Sequence, residues 1–177
     1  MPVCWFSYSG RVTDAELTVD RAPEPARNRY AARVLLVDSA GRVLLLRGYD
    51  PARPGHRYWF TPGGGLESGE TPVDGAVREL AEETGLRVTP TELGAPVWQE
   101  TVEFPFDGRW YRQEQHFFLL RVPNWQVDTS GFDDIERRTI DAHRWWPVGE
   151  LAATPERVYP PELPTLLRRL TGEAEPC

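Results

Sequence analysis

The chain has 177 residues, 40% of them hydrophobic and 27% charged, which suits one globular domain with its own core and excludes disorder or a fibrous repeat. A net charge of -7 argues against a nucleic-acid polymer as partner, because such binders carry a basic footprint, but leaves room for a small anionic substrate if cations offset the repulsion. Cys4 and Cys177 stand in no metal or redox spacing, no leader-like or membrane-length apolar run is present, and the expected setting is the cytoplasm, with no membrane partner.

Residues 1–29 hold the aromatic Trp5, Phe6 and Tyr8 and a segment punctuated by Pro and Arg, and read as an extension, a strand or hairpin plus a linker. Tyr30–Val37 and Arg42–Arg47 are rich in Val and Leu, and the turn-like Asp38-Ser39-Ala40-Gly41 lies between them, so they predict a buried β-hairpin. A loop from Gly48 to His56 leads to a short aromatic strand, Tyr58-Trp59-Phe60, and then to a turn at Gly63-Gly64-Gly65. Next comes a helix. Thr71 suits its N-cap, Pro72 its first position, Asp74 completes a capping-box-like pattern, and Val73, Ala76, Val77, Leu80 and Ala81 recur at helical spacing before Gly85 stops it. Val97–Phe104 and Trp110–Val122 read as strands around an Asp107-Gly108 turn, and Arg138–Trp146 as a further strand. Leu163, Leu166, Leu167 and Leu170 place an amphipathic helix at 161–171, followed by a flexible tail at 172–177. Mixed strands with few helices imply an α/β layered domain over residues 30–171.

The segment from Gly64 to Leu86, GGLESGETPVDGAVRELAEETGL, carries the chemistry. At about 100° per residue Glu79, Glu82 and Glu83 share roughly one third of the helix circumference, opposite Val73, Val77, Leu80 and Ala81, and Glu70 can point to the same place from the preceding loop. Carboxylates this close repel one another unless cations or protons intervene, and oxygen-only ligands suit Mg²⁺ or Mn²⁺ rather than zinc. An arbitrary acidic helix face is usually just solvated. Here, however, Gly64, Glu70, Arg78, Glu79, Leu80, Glu82, Glu83, Gly85 and Leu86 resemble a complete Nudix box at all of its defined positions.

That resemblance implies the MutT-like Nudix fold, an α/β/α sandwich with a central mixed β-sheet, and a Mg²⁺-dependent pyrophosphohydrolase that uses an activated water to cleave a diphosphate linkage in a nucleotide-like small molecule. Glu82 and Glu83 would then be the principal metal ligands, and Glu79 a ligand or the base. Arg78, which at i, i+4 can reach Glu82, would orient a carboxylate. Glu70 and the Gly63 carbonyl complete the implied metal set, while Glu67 and Asp74 fall at variable positions and are assigned to solvent. Among Glu100, Glu103 and Glu114, the preferred downstream candidate is Glu114. Arg47, Arg53, Arg57 and Arg112 are candidates for phosphate recognition, and Trp98, Phe104, Trp110 and Tyr111 for stacking a base, Trp98 and Tyr111 foremost. His56, His116 and His143 share no metal spacing and read as structural. A homodimer is compatible with the sequence, and the alternative function is a Nudix-fold module that binds a nucleotide without cleaving it.

Overall fold

The computed structural model describes residues 7–8 and 25–172. Their elements in chain order are β1 (Ser7–Tyr8), β2 (Arg27–Val37), β3 (Arg42–Tyr49), β4 (Arg57–Phe60), β5 (Gly63–Gly65), α1 (Pro72–Thr84), α2 (Pro90–Leu93), β6 (Trp98–Phe106), β7 (Arg109–Arg121), α3 (Glu136–Thr139), β8 (Ile140–Pro147), α4 (Val148–Ala153), β9 (Val158–Tyr159) and α5 (Leu163–Thr171). The strands form one mixed sheet in the order β1-β6-β7-β2-β3-β4-β9, with β5 paired to β2 and β8 to β3.

β2 is the spine. It runs parallel to β7 from Arg27 opposite Tyr111 to Val37 opposite Arg121, and takes β5 antiparallel on its other edge. Its apolar residues face both ways, as a strand covered on both sides requires. Leu35 and Val37 join Phe117, Trp59, Trp146 and the leucines of α5 in one core, whereas Ala32, Val34 and Leu36 join Ala76 and Leu80 of α1 and Phe118 of β7 in the other. Helices thus cover both faces, giving the α/β/α arrangement, and α5 supplies the Leu163, Leu166 and Leu167 stripe that its spacing predicts. No helix among the described residues is long and apolar enough to cross a membrane.

Three local expectations change. The turn at residues 38–41 forms, with Asp38 Oδ1 accepting from the Ala40 and Arg42 amides at 2.9 Å each. Beyond it β2 and β3 pair only at Val37 and Val43, since β2 gives its edges to β7 and β5 while β3 pairs along its length with β8; the expected hairpin is therefore a turn joining two diverging half-sheets. Gly63–Gly65 is not a turn but the strand β5, with Ala31, Ala32 and Arg33 opposite Gly65, Gly64 and Gly63. The residues from Glu136 to Thr139 form α3, because Asp133 Oδ1 accepts from the Ile135 and Glu136 amides and starts a helical turn before β8 begins. The extension expected at 1–29 lies outside the described residues apart from β1, residues 25–26 and the start of β2, and the tail at 173–177 lies outside them as well.

β5 explains why the run must be glycine. A Cβ on Gly63, whose φ is +125°, would run into the Ala32 carbonyl and the Arg33 backbone. Gly63→Ala should therefore destabilise the fold by roughly 2 kcal/mol or more in chemical denaturation. Gly55→Ala, at an exposed position with nothing within 4 Å of the added carbon, should leave stability essentially unchanged.

Candidate functional site

α1 is held at both ends by its own sequence. Thr71 is extended and accepts from the Asp74 amide at 3.3 Å, Pro72 needs no amide partner, and Gly85 closes the helix in the left-handed region with φ 71°. Ala76 and Leu80 then lie on the sheet, and the same side of the helix presses Glu79 and Glu83, only 7% and 2% exposed, onto the glycine strand β5. Glu83 Oε2 accepts from the Gly63 amide. Glu79 lies so close to Gly64 that a Cβ there would stand 2.6 Å from Oε1. A side chain at residue 64 would occupy the space of a carboxylate.

Glu136, at the start of α3, completes the cluster: carboxylate oxygens of Glu79, Glu83 and Glu136 all lie within 4.8 Å of one another. Burial pushes Glu83 well above the usual carboxylate range, and the neighbouring charge of Glu79 adds to it. Burial also raises Glu79 and Glu136. The helical stripe is thus narrower than its angular spacing suggests. Glu82 turns outward, with a side chain 46% exposed, and the sequence reading did not name Glu136, which lies more than fifty residues downstream. The spacing from Asp133 to Glu136 signals a helix start but says nothing of where that helix docks.

Arg78 organises the remaining acids. Its Nε and Nη2 grip both oxygens of Glu70 at 2.8 and 2.9 Å, Nη1 donates to Glu79 at 2.9 Å and Glu82 at 3.0 Å, and Nη2 also reaches the Gly65 carbonyl at 3.0 Å. This grip holds Glu70 down to about 2 and keeps it ionised. Glu70 therefore faces the guanidinium, fixing the loop to the helix, and stands apart from the buried trio. The Gly63 carbonyl likewise accepts from Arg33. Glu67 and Asp74 are exposed, as assigned.

From this cluster a cleft of about 1020 Å³ runs across the sheet face formed by β2, β6 and β7. Arg29 and Arg33, four residues apart on β2, share its wall, and their alternation inside an apolar strand is the signal that could have found them. Arg29 has no hydrogen-bond acceptor among the described residues; it lies 6.0 Å from the centre of the Tyr111 ring, and burial followed by the charge of Arg33 lowers its pKa. Strand alternation sorts the other candidates. Tyr111 faces the cleft with Phe104, while Arg112 is exposed beside Glu103, and Glu114 lies on the opposite face of β7, 3.3 Å from His116. Of Glu100, Glu103 and Glu114, the first two line the cleft and Glu114 does not, and burial pushes Glu100 up to about 7. Arg53 lines the cleft but is held by Asp50 at 3.3 Å. Arg47 and Arg57 converge on Asp141, and Trp98 packs against Phe117 at 4.7 Å, so the structure does not bring these three into the cleft.

Comparison with known proteins gives a match to the NUDIX domain over residues 27–168. A protein of Psychrobacter cryohalolentis named RNA pyrophosphohydrolase is 30% identical over 149 residues, covering 77% of this chain and 83% of that one. A protein of the same name from Caulobacter vibrioides is 36% identical over 145 residues, covering 76% and 78%. The crystal structure of a MutT protein from Methanosarcina mazei Go1 superposes with a TM-score of 0.60 at 19% identity over 85% of this chain and 97% of that one. The E. coli dihydroneopterin triphosphate pyrophosphohydrolase does so with 0.58 at 22% identity over 85% and 100%. At these identities the structural likeness is one of fold.

The raised carboxylates fix the sign of a pH effect. Glu79, Glu83, Glu100 and Glu136 bind protons more tightly in the folded state than in the unfolded chain, so stability falls as pH rises above the ordinary carboxylate range. The melting temperature of the metal-free protein should drop as pH rises from about 5 through about 7, where Glu100 titrates, and Glu83→Gln should flatten that decline.

Proposed function

Because the chain belongs to the Nudix family and is accordingly a hydrolase that cleaves diphosphate linkages, we propose that it is a Mg²⁺-dependent pyrophosphohydrolase acting on a small nucleotide or nucleotide-like diphosphate. The observation that carries this reading is the buried convergence of Glu79, Glu83 and Glu136 beside a cleft wall bearing Arg29 and Arg33.

The donor set fits the ion. Three carboxylates offering oxygen ligands within 4.8 Å of one another, with Glu82 one helical step away, match the preference of hard divalent cations, Mg²⁺ first and Mn²⁺ second. Of the three, Glu79 alone has a guanidinium partner among the described residues, Arg78 at 2.9 Å, so bringing the trio together remains costly and favours a bound cation. When bound, Mg²⁺ polarises a phosphoryl oxygen and makes a water more acidic.

The chain's own residues do the rest. Glu79 is placed to accept a proton from the attacking water, burial raises its proton affinity, and Arg78 Nη1 fixes its carboxylate at 2.9 Å. Arg29, with its N–H donors unpaired among the described residues, receives a phosphate at the cleft wall. Arg33 is already committed to the Gly63 and Thr61 carbonyls and to Gln115, so it adds charge while holding β5 in place. Phe104 and Tyr111, stacked 5.9 Å apart at 27°, offer the flat apolar surface that a base requires. The net charge of -7 favours a small molecule over the RNA chains that the relatives' name implies.

The test is a Mg²⁺-supplemented screen of nucleoside di- and triphosphates, sugar nucleotides, dinucleotides and 5′-triphosphorylated RNA, scored for cleavage products. At least one small nucleotide should be cleaved faster than the RNA. Glu83→Gln and Glu79→Gln should each lower kcat at least about a hundredfold, and Arg29→Ala should raise KM about tenfold with a smaller effect on kcat. Turnover that survives both glutamate changes would overturn the assignment of the site, and nucleotide binding with no cleavage of any compound would favour the non-catalytic module.

A further inference from the structure

The segment between β7 and α3 is a strap fastened to the catalytic helix, and the proposed mechanism uses nothing of it except its far end, Glu136. It leaves the sheet at Pro123, whose carbonyl accepts from the Ser39 amide at 2.9 Å, and runs to the C-terminal end of α1. There Trp125 Nε1 and the Asp128 amide donate to a single oxygen, the Thr84 carbonyl, at 2.8 and 3.1 Å. Thr84 is the last residue of the helix, so its carbonyl lacks a helical partner, and the strap supplies one. Within the strap Asp128 Oδ1 accepts from the Ser130 amide at 2.9 Å, the Phe132 amide donates to the Thr129 carbonyl at 3.2 Å, and Phe132 is buried.

Past this fastening the strap lies flat on the helix at Gly131. A Cβ there would stand 2.5 Å from the Glu82 carbonyl oxygen and 3.0 Å from Glu82 Cα. Optimal separations for such atoms are about 3.5 Å, so the added carbon would sit roughly 1 Å too deep, against helix backbone that cannot turn aside. Asp133 and Glu136 then cap each other: Asp133 Oδ1 accepts from the Glu136 amide, and the Asp133 amide donates to Glu136 Oε2, both at 2.7 Å. The Glu136 side chain is thus tied to the end of the strap, and from there its carboxylate comes within 4.8 Å of those of Glu79 and Glu83.

We propose that Gly131 is a positioning residue for the metal site: it seats the strap flush on α1 so that the capped Glu136 carboxylate meets Glu79 and Glu83, and Trp125 is the fastening that keeps it seated. This rests on the reading of the three carboxylates as a divalent-cation site, and it names what brings the member most distant in sequence into that site. Glu79 and Glu83 are placed by the caps of α1 itself, whereas Glu136 arrives from another part of the chain and has only the strap to place it. A displacement of about 1 Å in one ligand is enough to loosen a rigid site.

The experiment is Mg²⁺ binding calorimetry on the full chain without nucleotide, read beside amide hydrogen exchange. Glu136→Gln and Gly131→Ala should each weaken Mg²⁺ binding about tenfold, and Trp125→Phe, which keeps an aromatic ring and removes the N–H donor, about threefold. In a Glu136→Gln background, Gly131→Ala and Trp125→Phe should each change the affinity by less than about twofold, because the ligand they position is already gone. The Asp128 amide should exchange faster in both strap variants. A merely structural role would lower the melting temperature in both backgrounds and leave the Mg²⁺ affinity untouched, and that result overturns the proposal, as do losses that simply add in the double variants. Should Gly131→Ala fail to fold, Trp125→Phe in the two backgrounds decides by the same comparison. Glu83→Gln separates the two readings. Mg²⁺ binding that depends on Glu83 but on neither Glu136 nor Gly131 ends the proposal and leaves the metal site standing, whereas binding indifferent to Glu83 ends both.

Discussion

Two like charges packed against a strand with no side chains are the constraint on which the rest of the structure depends. Glu79 and Glu83 sit one helical turn apart on the buried side of α1, facing Gly63–Gly65, and Glu136 closes in from α3. Nothing in ordinary packing rewards that arrangement, since burial raises the pKa of all three and their mutual repulsion adds to the cost. The features around them make it tolerable. Ala76 and Leu80 anchor the helix in the core, Thr71 and Gly85 fix its ends, and β5 brings its backbone within reach because glycine leaves room for the carboxylates.

Two arginines divide the electrostatic work. Arg78 gathers Glu70, Glu79 and Glu82 onto one guanidinium and ties the preceding loop to the helix, so three of the box's four glutamates share one cation. Arg33, on β2, does the corresponding work on the other side, bridging the Gly63 and Thr61 carbonyls to Gln115 and hence to Glu100. A hydrogen-bonded path therefore runs along the cleft to the carboxylate cluster, through Glu100, Gln115, Arg33, Gly63 and Glu83. Arg29 stands beside this path with no such commitment.

What the sequence disclosed follows from range. The helix, its caps, the reach of Arg78 to Glu82 and the β6–β7 hairpin at Asp107-Gly108 are local facts, decided within a few residues, and they appear as their spacing predicts. Glu136 and the placing of Glu100 over Glu114 depend on how distant strands register, which no short pattern encodes. Alternation along β7 separates Tyr111, Gln113 and Gln115 from Arg112 and Glu114, but only the pairing with β2 and β6 decides which set faces the cleft. The glycine run misled for a related reason. Gly63–Gly65 has the composition of a turn, but it pairs with β2 as a strand, and its glycines answer to close neighbours, the Ala32 and Arg33 backbone at Gly63, the Glu79 carboxylate at Gly64 and the Arg29 side chain at Gly65.

The central claim, that a divalent cation resolves the repulsion between buried carboxylates, is tested most directly by Mg²⁺ binding calorimetry near neutral pH in two buffers of different ionisation enthalpy. Because burial raises the proton affinity of Glu83 and its neighbours in the metal-free protein, Mg²⁺ binding should release protons, and Glu83→Gln should reduce both that release and the affinity. Binding without proton release, or with a release and affinity unchanged in Glu83→Gln, would contradict the claim.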